Sequence, residues 1–182
     1  FFDTADVYGL GRSERLLSRA LAERRHDMVI ASKCGVNWEQ GSAGRRARTF
    51  YDSSPKRVVE ALENSLRRLR VDVIPLYFIH WPDPDTPLAD TVEALVRCQD
   101  AGKIRHFGLS NFSAAQIREV CATASVAAMQ AQYSLIDRSA EREILPCCRE
   151  LGISAITYGS LAQGLLAGEY DAETRFGRDD RR

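Results

Sequence analysis

Ile74-Pro75-Leu76-Tyr77-Phe78-Ile79-His80 is followed by Thr86-Pro87 and then by Ile104 to Leu109, and this stretch decides the fold. Ile74 to Ile79 is an apolar run of strand length. Thr86-Pro87 caps a helix that puts Leu88, Val92, Leu95 and Val96 on one face, and Gly102 suits its C′ position. Ile104 to Leu109 is a second strand run. A strand, a crossover helix and a strand make a parallel pair.

The alternation extends both ways. Phe1-Phe2 reads as the tail of a strand, and Ser13 as the N-cap of a helix carrying Leu16, Leu17, Ala20 and Leu21. Met28 to Ser32 is a strand. Ser54-Pro55 opens a helix with Val59, Leu62, Leu66 and Leu69 on one face and an i,i+4 pair, Glu63 and Arg67, on the other. Ser113 caps a helix after Leu109, and Val126 to Ala131 is a strand. Glu141 to Leu151 is a helix stopped by Gly152, and Ile153 to Thr157 is the last strand.

About six strands separated by helices define a parallel α/β sheet. Gly9-Leu10-Gly11 follows the first strand, but position 14 is Glu, so the dinucleotide fingerprint of a doubly wound fold fails. A (β/α)8 TIM barrel places its chemistry at the C-terminal ends of several strands. Asp3, Lys33 and His80 lie at or near such ends, and Tyr8 lies in the turn after Asp3. A complete barrel runs to about 250 residues. The expectation is therefore one partial barrel domain over residues 1–182, truncated at both ends, with exposed edges that leave it poorly stable and inactive alone.

Lys+Arg and Asp+Glu number 25 each, so no charge excess argues for nucleic acid or an anionic membrane. The cluster Arg45, Arg46 and Arg48 reads as a solvated loop. No run of about 18 apolar residues is present, so no membrane span is expected. The five cysteines show no zinc spacing and read as reduced, mostly buried thiols of a cytoplasmic protein. No metal site is expected. Cys34 to Ser53 reads as an aperiodic loop of about 20 residues over the site's mouth, a length that is usually functional.

Carbonyl reduction needs a hydride on carbon and a proton on oxygen. A phenol titrates near 10, and a neighbouring ammonium lowers it. A carboxylate holds that ammonium, and an imidazole can hydrogen-bond the carbonyl. Asp3, Tyr8, Lys33 and His80 supply one group for each role. Alone, each has an ordinary structural reading: strand-end cap, packing residue, solvated amine, hydrogen-bonded histidine. His26 and His106 have no matched motif and read as surface or structural. Trp81 either lines the substrate pocket or only packs, and Asp83 is a turn residue.

Asp3-Thr4-Ala5-Asp6-Val7-Tyr8-Gly9, Ala31-Ser32-Lys33-Cys34-Gly35 and Ile79-His80-Trp81-Pro82-Asp83 together resemble the aldo-keto reductase family. Gly108-Leu109-Ser110-Asn111-Phe112, Gln132-Tyr133-Ser134-Leu135 and Tyr158-Gly159-Ser160-Leu161 resemble its later motifs. The resemblance implies a (β/α)8 barrel and an NAD(P)-dependent oxidoreductase interconverting small aldehydes or ketones and alcohols. Tyr8 would be the general acid/base, Lys33 would lower its pKa, Asp3 would pair with Lys33, and His80 would orient the carbonyl. It implies NADP(H) ahead of NAD(H). Ser110, Asn111 and Gln132 would hold the nicotinamide carboxamide, Tyr158 would stack on the ring, and Gly159, Ser160 and Leu161 would approach the pyrophosphate. The residues that choose the adenosine phosphate are expected beyond Arg182. Oligomeric state stays open.

Two departures stand out: Pro75 where members usually have Asp, and Gly159-Ser160 where many have Ser-Pro. Pro75 is expected at its strand's first residue or on a free edge. Two alternatives also remain. Some members are cofactor-binding regulatory subunits of potassium channels with little turnover, and Lys33 could form a Schiff base in a lyase.

Overall fold

The computed structural model describes residues 1–39, 47–168, 170–177 and 180. Along the chain run β1 (Phe2–Asp3), α1 (Arg12–Leu21), β2 (Ile30–Cys34), β3 (Val36–Glu39), β4 (Arg48–Tyr51) and α2 (Pro55–Leu69). They are followed by β5 (Ile74–Ile79), α3 (Leu88–Asp100), β6 (Ile104–Ser110), α4 (Ala114–Cys121), β7 (Ala128–Gln132), α5 (Ile144–Leu151) and β8 (Ser154–Tyr158). Six strands form one sheet in the order β1-β2-β5-β6-β7-β8, every pair parallel. The sheet curls into a half-barrel with the helices outside it.

Alternation along each strand builds two apolar layers. Ile30, Cys34, Tyr77, Ile79, Phe107, Leu109 and Met129 pack outward against Leu62, Leu69, Leu95, Ile117 and Cys147 of the helices. Ala31, Leu76, Phe78 and Ala128 face inward, with Ile156 against them. Leu62 and Leu69 of α2 are fully buried, and each such side chain contributes about 1.5–3 kcal/mol. Gly108 lies where inward-facing neighbours meet. A Cβ there would fall 2.5 Å from Phe78 Cε1 and 2.6 Å from the Ala128 carbonyl oxygen.

Several local expectations are met. β5 spans Ile74–Ile79 as read from the sequence. Ser113 caps α4 in a reciprocal capping box with Gln116. Gly102 and Gly152 take left-handed conformations past α3 and at the end of α5. All five cysteines are free, with Cys121 the one not fully buried.

Others are corrected. Ser13 is not the cap of α1: Gly11 holds that position, and the Ser13 hydroxyl pairs with that of Thr4 at 2.8 Å. The second strand starts at Ile30, two residues later than expected, so Lys33 lies inside it. Val59 is exposed, and the buried face of α2 begins at Val58. Glu63 pairs with Lys103 rather than Arg67, whose guanidinium bonds the Glu63 carbonyl and Asn64. Residues 34–53 are not an aperiodic loop, because β3 and β4 form an antiparallel hairpin within them. Arg45 and Arg46 lie outside the described residues.

Pro75 is the second residue of β5, inside the sheet. The N–H of Ile74 points toward β6, where it donates to the Lys103 carbonyl. The register with β6 passes from Ile74–Ile104 to Leu76–His106 without Pro75, and the pairing with β2 begins only at Leu76, so Pro75 takes part in neither ladder.

Candidate active site

β1 and β2 pair with Asp3 opposite Ala31. Lys33, two residues on, points inward with the same parity and is 2% exposed. Its Nζ donates to Asp3 Oδ2 at 2.6 Å and to the Thr4 carbonyl at 2.7 Å. The other Asp3 oxygen accepts from Gln130 Nε2 at 2.7 Å. Asp3 is thus gripped from β2 and from β7 across the concave face.

Tyr8 lies on the turn between β1 and α1. Lys33 Nζ sits against its ring face, 5.0 Å from the centroid. His80 follows β5 and meets the Tyr8 ring edge-on at 5.6 Å between centroids. The quartet expected from the sequence is therefore one cluster at the C-terminal ends of three adjacent strands.

The charges differ from expectation in one respect. Tyr8 is pushed above the ordinary phenol value, first by burial, then by Asp3 and Tyr158. The Asp3 carboxylate offsets the Lys33 ammonium, which donates to Asp3 and to the Thr4 carbonyl. Lys33 itself is lowered by burial, against the opposing pull of Asp3. His80 is brought down to about 4 by burial, then by the Lys33 charge, with Asp3 opposing. At neutral pH the cluster therefore presents a protonated phenol beside a neutral imidazole.

Behind it lies a buried polar support that the sequence reading missed. Glu14 of α1 is fully buried. It accepts from the Ser32 hydroxyl of β2 at 2.6 Å and from Arg68 Nε of α2 at 2.5 Å. Asp6, 2% exposed, accepts from the Val7 backbone N–H at 2.7 Å and so shapes the turn bearing Tyr8. The motif reading passed over these acids because each one's partners lie on other elements or in its own backbone.

β6, β7 and β8 provide the second wall. Asn111 holds a left-handed backbone, φ 65°, which Asn tolerates. Its Nδ2 donates to the His80 carbonyl at 2.8 Å and to Ser110 Oγ at 3.0 Å, and its Oδ1 accepts from the Tyr158 hydroxyl at 2.6 Å. Ser110 and Gln130 are buried, whereas Gln132 is exposed at the rim beside Gly159. Gln130 is the deeper amide on this wall. Ser160 and Leu161 lie exposed in the turn after β8, and their backbone N–H groups meet no acceptor among the described residues.

Trp81 stands between two clefts. One, of about 640 Å³, is lined by Tyr8, His80, Trp81, Leu10 and the hairpin residues Thr49 and Tyr51. The other, of about 440 Å³, is lined by Trp81, Asn111, Gln132 and Tyr158, among others. The hairpin thus lies at the mouth where the sequence placed a loop. Asp83 is a turn residue as expected, accepting from Ser53, Asp85 and Thr86. His26 and His106 are exposed. Among the described residues no helix is long and apolar enough to cross a membrane.

The profile of the Aldo/keto reductase family matches residues 1–182, and the chain is a member of that family. The NADH-specific methylglyoxal reductase of Escherichia coli is 40% identical over 174 residues, covering 91% of this chain and 53% of the relative. The solved glycerol dehydrogenase of Gluconobacter oxydans superposes with a TM-score of 0.93 at 40% identity, covering 99% of this chain and 55% of its own. An aldo/keto reductase of Klebsiella pneumoniae, solved with NADP and acetate, superposes at 0.73 with 30% identity over 89% of this chain and 53% of its own. The chain spans about half the length of each.

Proposed function

We propose that this chain carries the proton-transfer half of a nicotinamide-dependent oxidoreductase that interconverts small aldehydes or ketones and alcohols. The observation that supports this most is the Asp3–Lys33–Tyr8–His80 cluster opening into the cleft beside Trp81. Tyr8 donates its phenolic proton to the carbonyl oxygen, and its raised pKa keeps that proton in place at neutral pH. Neutral His80 hydrogen-bonds the same oxygen and orients it. Asp3, itself held by Gln130, fixes Lys33 against the phenol ring. In the oxidative direction Tyr8 must first be deprotonated, so alcohol oxidation rises with pH.

The second wall suits a nicotinamide. Ser110 accepts from Asn111, which leaves its own O–H free to donate to a carboxamide oxygen. Asn111 Oδ1 keeps one lone pair beyond the Tyr158 bond for a carboxamide N–H. Gln132 remains the rim candidate for the same contact, with Gln130 beneath it. Tyr158, 38% exposed, offers a ring face for stacking. The turn at Gly159, Ser160 and Leu161 offers backbone N–H donors to a pyrophosphate. When bound, the nicotinamide supplies or accepts the hydride. The complex of the Klebsiella relative favours NADP(H), and the name of the Escherichia coli relative favours NADH.

The test is Tyr8→Phe in the whole protein, assayed for NADPH- or NADH-dependent reduction of an aromatic aldehyde. Turnover should fall by at least about 10²-fold with cofactor affinity retained. Turnover close to wild type would sink the mechanism.

A further inference from the structure

The groove between α1 and α2, on the outer face of the half-barrel, concentrates positive charge in a chain whose formal net charge is zero. Arg15 and Arg19 of α1 line it with Asn64, Arg67 and Arg68 of α2 and with Arg70, which ends α2 in a left-handed conformation. Its volume is about 320 Å³, at the small end of the roughly 300–1,000 Å³ of small-molecule sites.

The counter-charge is nearly absent. Arg68 is held by buried Glu14 and also reaches Ser65. Arg67 bonds a carbonyl and an amide, not a carboxylate. Arg15, Arg19 and Arg70 make no ion pair among the described residues. The neighbouring acids are engaged elsewhere: Glu63 with Lys103, Glu60 with Arg57 and Lys56, and Glu23 with Arg25. Five guanidiniums therefore meet Glu14, which is paired with Arg68, and Asp6, which also lies near Arg68 and is only partly ionised at neutral pH. Gly11 precedes α1 and lies against two of the groove's arginines. A Cβ there would meet Arg68 Nε at 3.0 Å and Arg15 Nη1 at 3.2 Å, so two cationic side chains converge on one point.

We propose that this groove binds a small phosphate compound with two adjacent phosphoryl groups. Guanidinium forks present paired N–H donors that match phosphoryl oxygens. Like charges held this close repel unless a polyanion lies among them. Asn64 adds an amide at the groove's edge, where a ligand oxygen or hydroxyl can be met. The site lies outside the barrel wall, so it stands or falls separately from the proposed chemistry at Tyr8.

The probe is inorganic pyrophosphate, titrated calorimetrically into the whole protein at physiological salt, with and without saturating nicotinamide cofactor. Saturable 1:1 binding that persists with cofactor present is expected. Arg15→Gln/Arg19→Gln should weaken it at least about tenfold, since hydrogen bonds to charged groups each carry about that factor. Arg97→Gln/Arg118→Gln, which removes two arginines paired elsewhere with Glu93 and Glu150, should leave it unchanged. If the first double variant melts early, Arg19→Gln alone on the exposed side of α1 gives the same comparison. The proposal is overturned if no saturable binding appears, if cofactor abolishes it, or if the α1 variants bind like wild type. It is also overturned if an acidic peptide displaces pyrophosphate and binds more tightly, because the groove would then be a protein-docking surface.

Discussion

Asp6→Asn should change how stability depends on pH by an amount that follows from the structure. Asp6 is 2% exposed, and its carboxyl is raised from 3.8 to about 7, first by burial and then by the Glu14 charge. The Val7 N–H, Arg68 and Lys33 pull the other way without winning. Between those two values the native state holds a proton that the unfolded chain has released. Stability from this group is therefore present at low pH and lost as pH rises through about 7. Integrating between pH 5 and pH 8 gives a loss of about 2–3 kcal/mol. Asn keeps an Oδ1 acceptor for Val7 but has no proton to lose. The wild-type stability minus that of Asp6→Asn should fall by that amount across the range, while groups common to both, His80 included, cancel. Urea unfolding at pH 5, 6, 7 and 8 with matched m-values measures it. A difference flat to within about 0.5 kcal/mol, the usual scatter of surface substitutions, would refute the assignment of a buried, proton-holding Asp6.

Glu14→Gln removes the charge facing Arg68 and should cost about 3–5 kcal/mol in urea unfolding, as breaking buried ion pairs does; a loss below about 1 kcal/mol, the level of an exposed pair, would mean that Arg68 finds water instead. Gly108→Ala forces a Cβ against the Phe78 ring and the Ala128 carbonyl, so thermal or urea unfolding should show at least about 1–3 kcal/mol of destabilisation. The reduction rate should stay flat as pH falls from 8 to 5, because His80 takes its proton only near pH 4; an inflection close to 6.5 that disappears in His80→Gln would show a solvated imidazole.

The fold was legible wherever one element buried one face. The span of β5 reads correctly because it is central and nearly continuous in apolar residues, although Pro75 was expected at its first residue or on an edge, and Ser113 reads as a cap from its place before an apolar helix. The hairpin was not legible. Val36–Glu39 alternates over only four residues and Arg48–Tyr51 does not alternate; the two pair only with each other and are at most half-buried, so the pattern is too short to stand out. The face of α2 was misread by one position because Val58 and Val59 are both apolar, and only packing against the sheet shows which is inside. Glu63 chose Lys103, 40 residues away, over its helical neighbour, a preference that no local pattern carries.

The same limit shaped the site. Asp3, Lys33 and His80 were readable because each polar group interrupts an apolar run near a strand end. The two glutamines of β7 show where that stops working. Gln130 and Gln132 have the same parity, so both belong to the concave row. Setting the strand's end at Ala131 made Gln132 the first polar residue past it and hid Gln130 in the apparent core. The strand runs Ala128–Gln132, and Gln130 is buried with its amide donating a hydrogen bond to Asp3, 127 residues earlier. Since Asp3 also holds Lys33, the inward row of β7 reaches the ammonium beside Tyr8 through two hydrogen bonds. The proposed proton-transfer cluster on the first strands and the wall proposed for a nicotinamide on the later ones are therefore joined at Asp3, and a substitution at Gln130 should be felt at Asp3 first and through it at Lys33.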